Sequence, residues 1–408
     1  MIEGVTIRNF RSIRELDAEL APFSVLVGPN GAGKTNVVQA LETLGRMIDV
    51  GSTDPLRDLG WDEVRWRGTP VSRGGITLGA TLDLRRLKRI HARGLEPQES
   101  QTHHRVALKV VLTGSADGVD VLEEDLVVAD GSGAPLGRFS AQADRPPVAQ
   151  IEDPKAWEEL GIGHAQVGVG GSVDPRFLRI FGPSSPFRSL VRGSLLVWRF
   201  RFDTTSLRSD APHPSHELLG SGENLARAVL NRRGDQDAPN PAFSPILDGL
   251  RIAYPRIKDV RARRVGPNRF TLQFKERGVR HWLDQSSVSD GVLHALALLL
   301  VLLTRGQGVT AIEEPENALH PWAARALIEL AQNQQSRQVL VTTHSETVVS
   351  AIGDPRSLFL VERGDRGTTV ERATDREQAL EEILRESGQK LGDVWIDGSL
   401  GGVPEGPV

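Results

Sequence analysis

The stretch GPNGAGKT, Gly28–Thr35, follows an apolar run, FSVLVG, and opens a segment, KTNVVQALETLGRMI, with apolar residues Val37, Val38, Leu41, Leu44 and Ile48 at helical spacing. Strand, glycine-rich turn and helix in that order match G-x-x-x-x-G-K-[ST] in the context this phosphate-binding motif requires. Gly28, Gly31 and Gly33 permit a tight turn that aims successive backbone N–H groups at phosphate oxygens. The helix that follows adds the positive end of its dipole to the same anion. Lys34 places a cation at the β- and γ-phosphates, and the Thr35 hydroxyl is a Mg²⁺ ligand. Asn30, Ala32 and Asn36 complete the expected nucleotide-binding set. A chance Lys-Thr after a glycine-rich turn is the plain alternative, and the flanking strand and helix speak against it. The expected ligands are ATP and Mg²⁺.

Such a loop needs a second half: an acid for Mg²⁺ and a group that positions water. GVTAIEEPENALHP, Gly308–Pro321, offers both at the end of an apolar run expected to form a buried strand from Val309 to Ile312. Glu313 is read as the metal-side acid, direct or through water, and Glu314 as the group that polarises the attacking water. Without the phosphate loop the pair would read as solvated acids at a strand end, with Glu316 helping to start the next helix. Glu313 has one methylene more than the aspartate usual in such ATPases, a reach of about 1.5 Å. That predicts either a strand that ends slightly earlier or a contact through water.

The chain has 408 residues, 39% hydrophobic and 25% charged, as in ordinary globular proteins. With no cysteine, disulfides, thiol nucleophiles and Cys-ligated metals are excluded. The N-terminus has no signal-peptide pattern, and the longest apolar run, Ala295–Leu303, falls short of the roughly 20 residues of a membrane span. The expectation is a cytoplasmic protein with no membrane partner. A formal charge of −4 argues against coating nucleic acid through the overall field and leaves room for a local basic patch. The densest basic run, RRLKRIHAR at Arg85–Arg93, reads as a solvated face or as a phosphate-backbone contact.

Strand and helix alternate at both ends of the chain around a mixed middle rich in Gly, Pro and Arg. This predicts an α/β fold with one domain assembled from residues 1–50 and 284–365, interrupted by inserted strands and a helical lobe over 51–283. Residues 366–408 are expected to form a C-terminal helix and a glycine-rich tail. A buried helix is predicted over Asp290–Thr304, a further helix over Trp322–Gln332, and a strand at RQVLVTTHS.

The order of phosphate loop, long insertion, Ser289-Asp290-Gly291 at a helix start, acid strand and strand-end His344 resembles the ABC-type ATPase heads of the RecF, OLD and structural-maintenance-of-chromosomes (SMC) group. Within it, the chain looks most like stand-alone ATPases related to OLD proteins. IRNFRSI, GPNGAGKTNV, FDTTSLR, GENLA, SDG, EEPENALHP, THS and LGDVWIDGSLGGVP carry the likeness. The resemblance implies an ABC-type P-loop ATPase head, a mixed sheet flanked by helices, with a large α+β insertion. It implies a homodimer that pairs head-to-tail around two ATP, Ser289 and Gly291 reaching the partner's γ-phosphate. It also implies His344 as a γ-phosphate sensor, catalytic with Glu314 and Lys34, residues 316–319 at the dimer seam, and Arg11 touching the nucleotide. Ser289 also reads as a simple N-cap. The Gln that couples such sites to the insertion is not identifiable near Trp61–Arg67.

FLVERGD, Phe359–Asp365, looks like the start of a Toprim nuclease, but the residues after it offer no Asp-x-Asp pair and are too few for that domain. HPSHE, His213–Glu217, has no third histidine at metal-ligand spacing and reads as a loop. The function expected is an ATP-hydrolysing switch for a separately encoded effector in anti-phage defence. The alternatives are a RecF-like DNA-repair ATPase that binds duplex DNA, and a binding module in which ATP is only structural.

Overall fold

The computed structural model describes residues 1–68, 75–84, 104–115, 118–155, 186–234, 240–304, 306–334, 337–401 and 403. The basic run Arg85–Arg93 lies outside the described residues. A seven-stranded antiparallel sheet takes β1 (Ile2–Phe10), β2 (Ile13–Glu19), β4 (Ile76–Asp83), β5 (His104–Ser115), β6 (Gly118–Asp130), β7 (Pro135–Gln142) and β8 (Arg145–Ile151), in the order β2-β1-β4-β5-β6-β7-β8. The central sheet has six strands: β3 (Phe23–Val27), β9 (Val197–Phe200), β13 (Val309–Glu313), β14 (Gln338–Thr343), β15 (Leu358–Gly364) and β16 (Gly367–Arg372). Their order is β16-β15-β3-β14-β13-β9, parallel except for β16. A small sheet of β10 (Ile257–Gly266), β11 (Arg269–Glu276) and β12 (Leu283–Asp284) lies outside it.

The helices that matter for the site are α1 (Lys34–Val50), α2 (Pro186–Leu195), α3 (Thr204–Leu207), α4 (Leu225–Arg233), α5 (Ser244–Ala253), α6 (Asp290–Thr304), α7 (Pro321–Gln332) and α8 (Leu391–Ile396). The predicted helix over Asp290–Thr304 is found at those bounds. The sheet draws in β9 from within the 51–283 span and β16 from beyond residue 365. FLVERGD is β15 and the turn into β16, where Glu362 is paired with Arg376 at 2.7 Å.

Every residue of β3, β13 and β14 is buried, as a parallel sheet covered on both faces requires. Side chains alternate between two cores, because successive residues of a strand point to opposite faces. Val25, Val27, Val341 and Leu360 face the helical core built around α6, α5 and α7. Leu26, Leu340, Ala311 and Phe359 face a second core with α1 and the seven-stranded sheet. In α6 every residue from Gly291 to Leu302 is buried, which explains an apolar run without a polar face. The glycine-rich end of the chain is anchored: α8 places Val394 and Trp395 in the first core.

α1 crosses the α2–β9 junction closely. A Cβ on Gly45 would lie 2.1 Å from the Leu195 carbonyl oxygen, a backbone atom that cannot rotate away. Gly45→Ala should therefore destabilise the protein, although alanine is about 1 kcal/mol better than glycine inside a helix. A lowered urea midpoint, consistent with an overpacking cost of about 1–3 kcal/mol, is the expected result; a raised midpoint would refute the close packing.

Candidate nucleotide site

The parallel register brings four strand ends to one edge. Thr343 is opposite Val27, Glu313 opposite Thr342, and Ile312 opposite Phe200. Gly28, His344, Glu314 and Arg201 therefore emerge side by side, at the carboxyl ends where open α/β sheets place their ligands. β14 separates β3 from β13, so phosphate loop and acids face each other across a gap of two strand spacings, about 10 Å.

The loop needs its glycines for two different reasons. Gly31 and Gly33 have φ of 81° and 108°, in the left-handed region. Gly28 instead passes so close to β15 that a Cβ would lie 2.0 Å from the Val361 carbonyl oxygen. Lys34 is 6% exposed, and its ammonium donates to the carbonyls of Gly28 at 2.7 Å and Pro29 at 3.0 Å. Burial pulls the Lys34 pKa below its ordinary value, opposed by the negative charges of Glu314 and Glu316. The lysine thus lies in the field of both acids.

Loop and acid strand meet directly: Thr35 Oγ1 donates to Glu313 Oε2 at 3.2 Å. Two hard oxygen donors side by side fit a Mg²⁺ ion. β13 runs through Glu313, so the strand does not end before the acid. The extra methylene spans the gap to two partners, since Glu313 Oε1 also accepts from Arg199 Nε of β9 at 2.5 Å. Glu314 then leaves the strand with φ of 50°, a strained turn for a residue with a side chain. Its N–H donates to the Thr342 carbonyl at 2.8 Å, and its Oε2 accepts from Asn317 Nδ2 at 3.1 Å. Arg201 Nη2 lies 3.6 Å from the same Oε2.

Glu316 does not start the following helix; His320 caps α7. Glu316 Oε1 instead accepts from Thr343 Oγ1 at 2.6 Å and from the His344 N–H at 3.3 Å, which ties the acid turn to the β14 end. Asn36 is joined to the loop through Ser12. Asn36 Nδ2 donates to Ser12 Oγ at 2.6 Å, Ser12 Oγ is 2.7 Å from Thr368 Oγ1, and Thr368 Oγ1 donates to the Ala32 carbonyl at 2.7 Å. Arg11, one residue before Ser12, has φ of 51° and a buried Nε without a partner among the described residues. Asn30 and Ala32 sit in the loop itself. The contacts of Ser289–Gly291 run elsewhere: a Cβ on Gly291 would meet Tyr254 Oη at 2.3 Å and the Ala318 carbonyl at 2.7 Å. Arg208, after α3, donates to Asp290 Oδ1 at 2.5 Å and to the Val288 carbonyl at 2.8 Å.

Sequence reasoning passed over Ser12, Thr368, Arg199, Arg201 and Arg208. Arginines two apart in the short run VWRFRF were the one available signal for β9, since alternation puts both on one face.

A family described as "AAA domain, putative AbiEii toxin, Type IV TA system" matches residues 174–350, and one described as "AAA ATPase domain" matches residues 1–48. The OLD nuclease of Thermus scotoductus is 24% identical over 359 residues, 85% of this chain and 59% of that protein. The DNA replication and repair protein RecF of Edwardsiella ictaluri is 57% identical over 42 residues, 10% of this chain and 12% of that protein. The crystal structure of an SMC head bound to the C-winged helix domain of ScpA shares the fold, with a TM-score of 0.50 and 12% identity over 91% of this chain and 97% of that one. ATPase-domain sequence is thus matched at both ends of the chain, and the chain resembles ABC-type ATPases of the RecF/OLD/SMC-like group. It spans less than two thirds of the length of these two curated relatives. Among the described residues, no helix is long and apolar enough to cross a membrane.

The hydroxyl relay behind the loop is buried, Thr368 being 2% exposed. Thr368→Val keeps the shape but leaves the Ala32 carbonyl without its donor, a loss of about 1–3 kcal/mol. Weaker binding of an ATP analogue by about tenfold, read by calorimetry, is expected; unchanged affinity and unchanged thermal midpoint would show that the relay does not hold the loop.

Proposed function

We propose that the chain binds Mg²⁺·ATP in the Gly28–Thr35 loop and hydrolyses it, with Glu314 as the base. The observation that carries this reading is the Thr35–Glu313 contact, which closes phosphate loop onto acid strand across 278 residues and leaves Glu314 turned out at the same edge. Bound Mg²⁺ neutralises phosphate charge and polarises the γ-phosphoryl group. Thr35 and Glu313 hold that ion, Lys34 balances the charge between β- and γ-phosphates, and the loop N–H groups orient the chain of phosphates. Glu314, its carboxylate fixed by Asn317, accepts the proton of the attacking water. His344, anchored through its backbone by Glu316, faces the terminal phosphate.

A second copy of this chain completes the site, Ser289 and Gly291 at the start of α6 reaching its γ-phosphate across a head-to-tail dimer. The likeness to SMC heads in fold supports this arrangement. The dimer is a switch for an effector, of nuclease class given the name of the OLD relative, in anti-phage defence. Glu314→Gln should lower turnover at least a hundredfold while ATP binding persists and dimers accumulate, as read by phosphate release and light scattering. Full turnover in that variant would remove Glu314 from its role.

A second reading, a head that binds duplex DNA like RecF, draws on β10. There Arg263 and Arg264 are exposed, and Arg261 stacks over Trp282 at 4.1 Å. It predicts ATP-dependent duplex binding that falls steeply with salt and weakens in Arg263→Glu; retention of duplex binding in high salt would count against it.

A further inference from the structure

Arg199 of β9 and Arg201, just past the end of that strand, stand on the two acids. Arg199 Nε holds Glu313 Oε1 at 2.5 Å, and Arg199 Nη1 lies 3.7 Å from Glu42 Oε2 of α1. Arg201 Nη2 lies 3.6 Å from Glu314 Oε2. The Glu313 side chain is 2% exposed, and an isolated carboxylate that deeply buried is strongly disfavoured. Arg199 therefore supplies the counter-charge that a carboxylate so deeply buried needs. It does so on one oxygen only, because Oε2 is turned to the Thr35 hydroxyl.

This division has a consequence for metal binding. A free divalent ion is attracted by uncompensated negative charge, and Mg²⁺ in particular gives up its waters reluctantly. Here Glu313 is opposed by Arg199 at 2.5 Å and Glu314 by Arg201 at 3.6 Å, while Lys34 lies in the field of Glu314 and Glu316. The oxygen pair of Thr35 and Glu313 has the right chemistry for the ion, but the charge of the acid that would draw it in is already opposed by Arg199. The phosphates of a nucleotide would restore the missing negative charge. We infer that Arg199 is an internal counter-cation that closes the Thr35–Glu313 site to free divalent metal, so that metal enters only together with nucleotide. Arg199 is thus a positioning residue: it holds Glu313 in register for a metal-nucleotide complex and need not leave when that complex binds.

The inference rests on the nucleotide reading above, and Mn²⁺ as a paramagnetic substitute for Mg²⁺ tests the two separately. In electron paramagnetic resonance titrations, the nucleotide-free wild-type protein should leave Mn²⁺ free at millimolar concentration and bind it once ATP is added. Arg199→Gln should bind Mn²⁺ without nucleotide at least tenfold more tightly than wild type. Adding Glu313→Gln to that variant should abolish the gain, and Arg199→Lys, which keeps the charge, should behave like wild type. Tight binding of free Mn²⁺ by wild type overturns the inference, and this measurement stands even if Arg199→Gln does not fold. Nucleotide-dependent binding in wild type with no gain in Arg199→Gln overturns the inference alone. Mn²⁺ binding that ignores ATP in every form overturns the nucleotide reading and this one with it.

Discussion

The Glu313 carboxylate is the point on which three parallel strands converge. It stands at the end of β13, takes Thr35 from the loop after β3 and Arg199 from β9, and is almost wholly withdrawn from water. A buried carboxylate is tolerated only when charge and hydrogen bonds satisfy it. The satisfying groups come from residues far apart in the chain, so the sheet must be assembled in this register for any of them to be in place. Removing either partner leaves the other members of the site unsupported, since Thr35 opens α1 and Arg199 precedes the turn into α3.

Seen this way, glutamate rather than aspartate at position 313 follows from geometry. β13 continues through residue 313 and pairs it with Thr342, so the backbone is fixed by the ladder and cannot advance to bring a shorter acid closer. An aspartate would withdraw the carboxylate by about 1.5 Å. With Arg199 already at 2.5 Å and Thr35 at 3.2 Å on opposite oxygens, that retreat would break at least one of the two contacts. Glutamate at 313 thus reaches both the Thr35 hydroxyl and the arginine on the neighbouring strand.

What could be read from the sequence was local or strongly periodic. The phosphate loop is a contiguous glycine pattern, α6 a long apolar run, and β13 a short apolar run ending in acids. What could not be read depends on pairing at long range. Thr368 and Ser12 are 356 residues apart, and nothing in the local sequence of either points to the other. β9 has four residues, too few for a period to show, and its partners are defined only by the order of strands in the sheet. At the C-terminus, where a helix and a glycine-rich tail were expected, the sequence did not show that Trp395 of α8 packs into the core, 3% exposed. Residues 61–67 contain no glutamine, and the cationic side chains that stand on the acids are Arg199 of β9 and Arg201 just past its end.

The stretch from Arg199 to Arg208 touches both halves of the site within a few residues. Arg199 and Arg201 stand on the acids, Asp203 caps α3 by accepting from the Ser206 N–H, and Arg208 takes the Asp290 carboxylate and the Val288 carbonyl at the head of α6. Gln285 returns the contact, donating to the Arg208 carbonyl at 2.7 Å while its oxygen accepts from the Leu272 N–H at 3.1 Å. Arg208 and Asp290 are partly buried and Gln285 is buried, so breaking one of their contacts leaves an unsatisfied partner and is costly. The partner of Glu313 and the contacts that hold the α6 start thus come from neighbouring turns of one short stretch of chain.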